Sequence, residues 1–428
     1  MRAKFVNGGC TDIENGSIAG AAERQRRKNE VIHILRNISQ ATSTQLTSGA
    51  FATAFMLFIG LNTEKISMVN FAANMGLFVA SVLVIFAYNW DKQGLGIIRA
   101  GSVGNILIPG GMLIAGYLYL YSLDAAWILM ILFGLIGNTA FSMRNSAEIN
   151  AVPMLFGRER YALVTGRCGY WGGLVTLAIS LITIFVLEPG RNVEYYRTFF
   201  LISTLLMVFY GMLAFGFHRP ADWKENKQFR VDLRLLRTKK YLFASMPHLT
   251  RGIGAAALAL WPATIMSHLD MTPLLSSALI PLAIAAEIIG SYLYLKISRV
   301  MKPGTMTMTG YIISAVFMFI TPLIRTTPCF FACYFTYFLL TSAFTKALMA
   351  AFIYSCEEEE LALISSFHVL YYALAFCPAA ILFGKYMDEY TVPCMTAAGI
   401  IYICSGIMMC IFFRKPVEQT AVRKRERK

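Results

Sequence analysis

Long apolar stretches separated by short polar links run through most of this chain. Each stretch is about 20 residues long, which is enough for a helix to cross a hydrocarbon core of roughly 30 Å. The apolar runs are continuous rather than alternating, so the pattern predicts helices and not barrel strands. We expect an all-α integral membrane protein with twelve transmembrane helices, near residues 45–62, 66–88, 102–122, 126–152, 162–187, 198–217, 241–266, 272–296, 305–324, 330–355, 361–386 and 394–413.

The polar segments divide this pattern into two six-helix bundles. The basic segment 219–240 is the longest interior polar stretch, and we interpret it as a cytoplasmic linker between a bundle at 41–218 and a bundle at 241–414. A basic tail at 415–428 closes the chain. Residues 1–40 form an N-terminal tail, in which 23–40 is predicted either as a basic helix lying on the membrane surface or as a solvated, topology-setting segment.

Composition and charge fit this interpretation. Hydrophobic residues make up 57% of the chain and charged residues only 14%, against roughly 25% in soluble domains. The formal net charge is +14, but the basic residues concentrate in links predicted to lie on one side of the membrane. That bias places both termini in the cytoplasm and predicts a multi-pass protein of the plasma (cell inner) membrane, with contacts to membrane lipids and no nucleic-acid partner.

The two predicted bundles carry a weak internal repeat. Glu159–Thr165 matches Glu359–Ser365, and Ala140–Ser142 upstream matches Ala343–Thr345. The matches pair the fourth and fifth predicted helices with the tenth and eleventh. We interpret this as an internal duplication whose halves superpose about an axis along the membrane normal.

The six-plus-six pattern, the basic central segment and the link Ala87–Gly96 resemble the major facilitator superfamily. In that family the link reads G-x-x-x-D-R-x-G-R-[RK]; here Asp91, Lys92 and Gly94 fit, while Ala87 replaces the first Gly and the trailing basic pair is missing. The second-half counterpart at 298–302 keeps the Arg and loses the Asp, so the motif assigns no subfamily. The resemblance implies a monomeric secondary transporter with gating roles for Asp91 and Lys92, which a solvated turn would also explain.

Ionisable residues within the predicted spans form a layer on the cytoplasmic side of the midplane. They are Arg144, Glu148, Arg167, His248, Arg251, Glu287, Lys346 and His368. Buried charges of this kind mark solute sites or ion-paired gates. Four cations against two carboxylates favour an anionic solute over a neutral latch, with snorkelling of Arg144 or Lys346 as the competing interpretation.

Roles follow from this layer and from the resemblance. We expect Arg144, Arg251 and Lys346 to bind solute, and Glu148, Arg167, Glu287 and His368 to serve coupling or gating. Helices one, four, seven and ten line the cavity in the superfamily, which would give Arg251 and Lys346 to the solute. Similar depth in consecutive helices predicts an ion pair or shared water between Arg251 and Glu287, with Glu287 a candidate for proton coupling. His368 is equally compatible with a packing role.

The sequence contains few features that would indicate an enzyme. The chain contains no HExxH, no Walker sequence and no ligand spacing for a metal, and its nine cysteines suggest no disulfide framework. We therefore expect a transporter of a small-molecule solute, without cofactor or metal and with proton coupling as an open option. The alternatives are a transporter-like lipid flippase or sensor, and a membrane-embedded enzyme.

Overall fold

The computed structural model describes residues 9–47, 49–90, 94–156, 164, 167–168, 171–179, 181, 193–220, 239–269, 271, 273–298, 300–344, 347 and 358–412. Every regular element within these ranges is a helix. The first half contains α1 (Gly9–Thr47), α2 (Gly49–Phe58), α3 (Thr63–Trp90), α4 (Leu95–Gly104), α5 (Leu107–Leu118), α6 (Leu123–Phe156) and α7 (Val193–Ala214), with residues 171–179 helical between the last two. The second half contains α8 (Lys239–His268), α9 (Pro273–Ile297), α10 (Pro303–Ile320), a 3₁₀ turn (Thr321–Leu323), α11 (Thr327–Phe344), α12 (Glu358–Tyr386) and α13 (Thr391–Phe412).

Nine stretches among the described residues are long and apolar enough to cross a membrane: Thr63–Val84, Leu95–Leu118, Leu123–Glu148, Val193–Ala214, Met246–Met266, Gly304–Leu323, Thr327–Phe344, Phe367–Tyr386 and Thr391–Ile411. The apolar stretch in α9 is shorter, at Pro281–Tyr294. Large apolar side chains such as Leu205, Met212 and Ile411 are about two-thirds exposed, as expected for a surface that faces lipid. The chain is therefore a multi-pass, all-helical membrane protein.

The N-terminal helix differs from its prediction. The segment 23–40 belongs to α1, which packs along α7 and contacts α6 rather than lying on the membrane surface. Asn29 and Arg36 are buried, and the Asn29 amide donates to the carbonyls of Leu155 and His218 at 3.1 and 2.8 Å. Farther along, the hydroxyls of Ser43 and Ser203 are 2.5 Å apart. The expected boundary at residue 40 thus falls inside a packed helix, because buried polar partners on α6 and α7 offset the polarity of α1.

The two halves meet along two sets of helices. Helix α3 packs along α12, where Phe71 joins an apolar cluster with Ala256, Phe376 and Ala380. Helix α2 packs against α8 and α9. These contacts leave a space between the halves that both of them line.

Candidate functional site

A cavity of about 1030 Å³ lies between the two halves. Its wall in the first half comes from α1, α2, α3, α5, α6 and α7 and from Asn105 before α5, and its wall in the second half from α8 to α13. This volume is at the upper end of the range for small-molecule sites. The two walls differ in chemistry.

Arg251 supplies a positive charge on the second-half wall, which also carries the carboxylate of Glu287. It lies one turn beyond His248 in α8, and Gly252 and Gly254 follow it. A Cβ at Gly252 would lie 2.3 Å from the carbonyl oxygen of Tyr372, and one at Gly254 would lie 2.0 Å from the ring of Tyr402. The missing side chains therefore let α12 and α13 approach α8 closely beside Arg251.

The environment of Arg251 is aromatic rather than acidic. Its guanidinium carbon is 5.1 Å from the ring centre of Tyr372, and it interacts electrostatically with Tyr311, Tyr337 and Tyr402. Within the described residues, Arg251 makes no salt bridge. The ion pair expected between Arg251 and Glu287 is therefore not formed, although both residues line the cavity.

Aromatic side chains extend this wall away from Arg251. Trp261 is 2% exposed, stacks on Tyr334 with ring centres 5.8 Å apart, and meets Tyr337 edge-on at 5.1 Å. The indole Nε1 of Trp261 and the hydroxyl of Tyr311 are buried without a hydrogen-bond partner among the described residues. Buried polar atoms of this kind normally have partners, so this wall retains capacity to bind oxygen or nitrogen atoms of a solute.

His368 brings a titratable group to the same cavity. It lies on α12, lines the cavity, and its ring centre is 4.9 Å from that of His248 on α8. His248 is almost fully buried. The two imidazoles and Arg251 thus occupy neighbouring turns of two packed helices, an arrangement that the sequence analysis did not foresee for His248.

Among the described residues, the first-half wall has no charged side chain, and its polar groups lie among apolar ones. Four asparagines line it, together with hydroxyl groups of α1: Asn70, Asn74, Asn105, Asn138, Ser43, Thr44 and Thr47. Two of the amides are tied to their own helices, since Asn74 donates to the carbonyl of Asn70 at 2.9 Å and Asn138 to that of Gly134 at 2.8 Å. Those bonds leave amide oxygens available as acceptors.

Three charged residues of the first half pack together with two polar ones behind the cavity lining. We call this set the arginine cluster: Arg36 of α1, Arg144 and Glu148 of α6, Tyr210 of α7 and Ser102 of α4. Arg36 donates at 2.8 Å to Glu148, to the Tyr210 hydroxyl and to Ser102. Arg144 lies 3.7 Å from the same carboxylate and 5.0 Å from the Tyr210 ring centre. Both arginines are essentially inaccessible.

Arg144, expected to bind solute, belongs to this cluster. The i, i+4 spacing with Glu148 does form an ion pair, but Arg144 does not line the cavity. Its guanidinium carbon is 4.7 Å from the ring centre of Phe141, which does line the cavity, and it donates to Asn145. Glu148 is likewise not among the residues that line the cavity, so the roles expected for both residues stay predictions.

Sequence reasoning missed Arg36, because residues before 41 were interpreted as a tail. One signal was available: the stretch from Asn37 to Thr63 contains no charged residue. Its serines and threonines lower its hydropathy, so the pattern starts the first span at 45 rather than within the packed part of α1.

The remaining predicted site residues divide into two groups. Arg167 pairs with Glu30 of α1 at 2.7 Å and is about half exposed. Lys346, Asp91 and Lys92 lie outside the described residues, as does the first member of the repeat, Glu159–Thr165, apart from Val164.

Comparison with known proteins is informative only at the level of the fold. No protein-family model and no curated protein sequence matches the chain. Solved structures do match the chain. A D-xylose–proton symporter matches with a TM-score of 0.67 and 11% identity, over 92% of this chain and 99% of the symporter. The nucleoside transporter NupG matches with a TM-score of 0.62 and 10% identity, over 91% and 98%. A partially occluded, inward-open structure of the xylose transporter XylE from E. coli matches with 0.67 and 11%, over 93% and 99%.

These neighbours are membrane transporters and not enzymes. The chain shares the fold of these transporters, which agrees with the fold that the sequence resemblance implied. At 10–11% identity the likeness identifies the fold without a subfamily or solute.

Proposed function

We propose that the protein is a secondary active transporter that moves a small, polar, anionic solute by alternating access. The cavity lies between the halves, where rocking of one half against the other would expose it to each side in turn. Support for transport as a class comes from the fold and from structural neighbours that carry sugars and nucleosides.

Arg251 carries the proposal for an anion. It is a charged residue that lines the cavity without a salt bridge to any described residue. A buried cation needs compensation, and a solute carboxylate or phosphate would supply charge and paired hydrogen-bond acceptors together. The neighbouring Tyr311 hydroxyl could then donate to the same anion. Lys346, on the predicted tenth helix, is proposed as a second solute-binding cation.

A thermal-shift screen of the purified full-length protein tests this assignment. Organic anions, organic cations and sugars are compared on the parent protein, on Arg251→Gln and on Arg325→Gln, whose arginine is exposed in the link between the 3₁₀ turn and α11. We expect a subset of anions to stabilise the parent and Arg325→Gln but not Arg251→Gln, since a ligand stabilises in proportion to its occupancy. Stabilisation by anions that is equal in all three proteins would refute the assignment.

The asparagines favour a second candidate, an uncharged polyhydroxylated solute. Amides on the first-half wall can donate to and accept from hydroxyl groups. The same screen separates the candidates, because a neutral solute would stabilise Arg251→Gln as well as the parent. A solute with an anionic group at Arg251 and hydroxyls toward the asparagines satisfies both walls.

Proton coupling is proposed through the cavity-facing titratable groups. His368 and Glu287 both line the cavity, and His368 contacts His248 beside Arg251. Histidine exchanges protons near physiological pH, so an anion that offsets the charge of Arg251 would favour a proton on the imidazole pair. Uptake into proteoliposomes with and without an inward proton gradient tests coupling; equal rates would exclude it for the solute used.

The finer topology completes the proposal. We propose twelve spans, cytoplasmic termini, and halves at 41–218 and 241–414 related by an axis along the membrane normal, in the plasma (cell inner) membrane, with Asp91, Lys92 and Arg167 near the inner gate. Thiol labelling from outside should reach cysteines placed at Asn62 and Val193 and miss one at Asn226. Labelling at Asn226 in intact cells would contradict this orientation.

A further inference from the structure

A second concavity lies on the flank of the first half, away from the cavity between the halves. It is a groove of about 1140 Å³ formed by α3, α4, α6 and the residues that follow α7. Its floor is apolar, with Val79, Leu135, Ile136, Ala140 and Met143 along its length. The solute site does not use any of these side chains.

Basic residues occupy one end of the groove. Arg99 of α4 donates to the carbonyl of Phe217 at 2.9 Å, and His218 and Arg219 follow on the exposed turn after α7. The Nε of Arg99 is buried without a hydrogen-bond partner among the described residues. The described residues of the lining include two arginines and no carboxylate, so this end attracts an anion.

The basic end is held in place by the bundle. Asn29 of α1 donates from its amide to the His218 carbonyl at 2.8 Å, and its amide oxygen accepts from the His218 backbone N–H at 3.3 Å. Phe217 is fully buried, with Arg36 of the arginine cluster 4.8 Å from its ring centre. The turn whose Phe217 carbonyl accepts from Arg99 is therefore fixed by contacts to α1.

The apolar part of the groove opens on the lipid-facing flank. Ile136 is 50% exposed, Val103 on α4 is 47% exposed and Ala100 beside Arg99 is exposed. The basic end lies where α4 begins and the first half ends, at one face of the membrane rather than at its midplane. An occupant must therefore be apolar along the helices and anionic at the membrane face.

We propose that this groove binds an anionic phospholipid, with an acyl chain along α3, α4 and α6 and the phosphate at Arg99 and Arg219. The assignment rests on charge complementarity at one end and on apolar, lipid-exposed walls along the rest. Basic pockets between transmembrane helices bind anionic headgroups by the same physics. The proposal does not depend on the identity of the transported solute.

Native mass spectrometry of the full-length protein, exchanged into a mixture of phosphatidylglycerol and phosphatidylcholine with identical acyl chains, tests the site. We expect the parent to retain phosphatidylglycerol preferentially. Arg219→Gln and Arg99→Gln should each lower that preference by about fivefold, the worth of one basic residue near a membrane surface. Arg325→Gln, which removes an exposed arginine distant in the chain from the groove, is the matched control and should leave the preference unchanged.

Two further measurements separate the lipid from a soluble anion. Ala100→Leu places a larger side chain in the groove and should lower retention of both lipids, because it displaces the acyl chain. Excess glycerol 3-phosphate should leave bound phosphatidylglycerol in place; its displacement would overturn the lipid assignment in favour of a soluble anion. Arg219→Gln changes an exposed side chain, so an unchanged lipid preference in that variant overturns the proposal even if Arg99→Gln fails to fold.

Discussion

The arginine cluster and the cavity wall around Arg251 are built from similar residues but face different surroundings. In the first half, Arg36 and Arg144 share the carboxylate of Glu148 and are capped by Tyr210. In the second half, Arg251 lies among tyrosines and beside open space. The first set pairs two arginines with one carboxylate, whereas Arg251 makes no salt bridge to any described residue.

The difference has a physical consequence for each half. Arginines that share a buried carboxylate behave as part of the core, and separating them leaves charge uncompensated in a low-dielectric environment. A cation beside a cavity can be hydrated or can bind a solute, so its removal affects recognition more than folding. On the proposed function, the first half would offer neutral amides to the solute, and the second half would offer the charge of Arg251.

The largest expected effect breaks the arginine cluster. Glu148→Gln should lower the free energy of unfolding by roughly 3–5 kcal/mol, because two buried guanidinium groups lose their counter-charge. Glu287→Gln makes the same chemical change at the cavity and should lower stability much less. Thermal unfolding in detergent measures both variants. Equal melting temperatures for the two variants would show that the arginine cluster contributes no more to stability than the cavity carboxylate does.

The second effect is on recognition. Arg251→Gln should weaken binding of the solute identified in the screen by roughly 10- to 150-fold, the loss expected for a hydrogen bond to a charged group worth about 1.5–3 kcal/mol. Its melting temperature without solute should remain near that of the parent. Titration calorimetry of parent, Arg251→Gln and Arg325→Gln gives the comparison. Unchanged affinity in Arg251→Gln would remove it from the solute site.

The sequence predicted the class and fold because membrane crossings depend on local hydropathy, which single stretches of chain reveal. Nine of the described stretches are long and apolar enough to cross a membrane, and the Ala87–Gly96 link resembles that of the major facilitator superfamily. The start of α1 could not be recovered by the same reasoning. Its polarity is offset by partners such as Ser203 and Glu148, more than 100 residues away in the chain.

The candidate site was predicted only in part, for a related reason. Depth within a helix can be counted from the sequence, and Arg251, Glu287 and His368 do line one cavity. Which side of a helix faces the cavity cannot be counted, since it depends on how helices rotate as they pack. Arg144 belongs to the predicted layer of charges yet faces α1 and α7. The count of four cations against two carboxylates, which favoured an anionic solute, did not include Arg36.

A third, smaller effect concerns pH. If the histidine pair takes up a proton when an anion occupies Arg251, then solute affinity should rise as pH falls through the range in which imidazole titrates. His368→Gln should flatten this dependence while retaining binding. His218→Gln, which changes an exposed histidine at the membrane face, is the control and should leave it intact. If His368→Gln kept the full pH dependence of solute affinity, proton coupling would belong to another group. Glu287→Gln would then be the next variant to test.

The smallest effect removes one hydroxyl from each region. Tyr210→Phe should lower the free energy of unfolding by about 1 kcal/mol, since Glu148 and Ser102 still accept from Arg36, and should leave solute affinity unchanged. Tyr311→Phe should leave stability unchanged, because the hydroxyl has no partner among the described residues, and should weaken solute binding by roughly 2- to 10-fold. Melting curves give the change in stability for each variant, and titrations give the change in solute affinity. Tyr210→Phe should change stability alone, and Tyr311→Phe should change affinity alone. A pair of variants with the same pattern would show that the two halves do not divide stability from recognition, whatever their charges suggest.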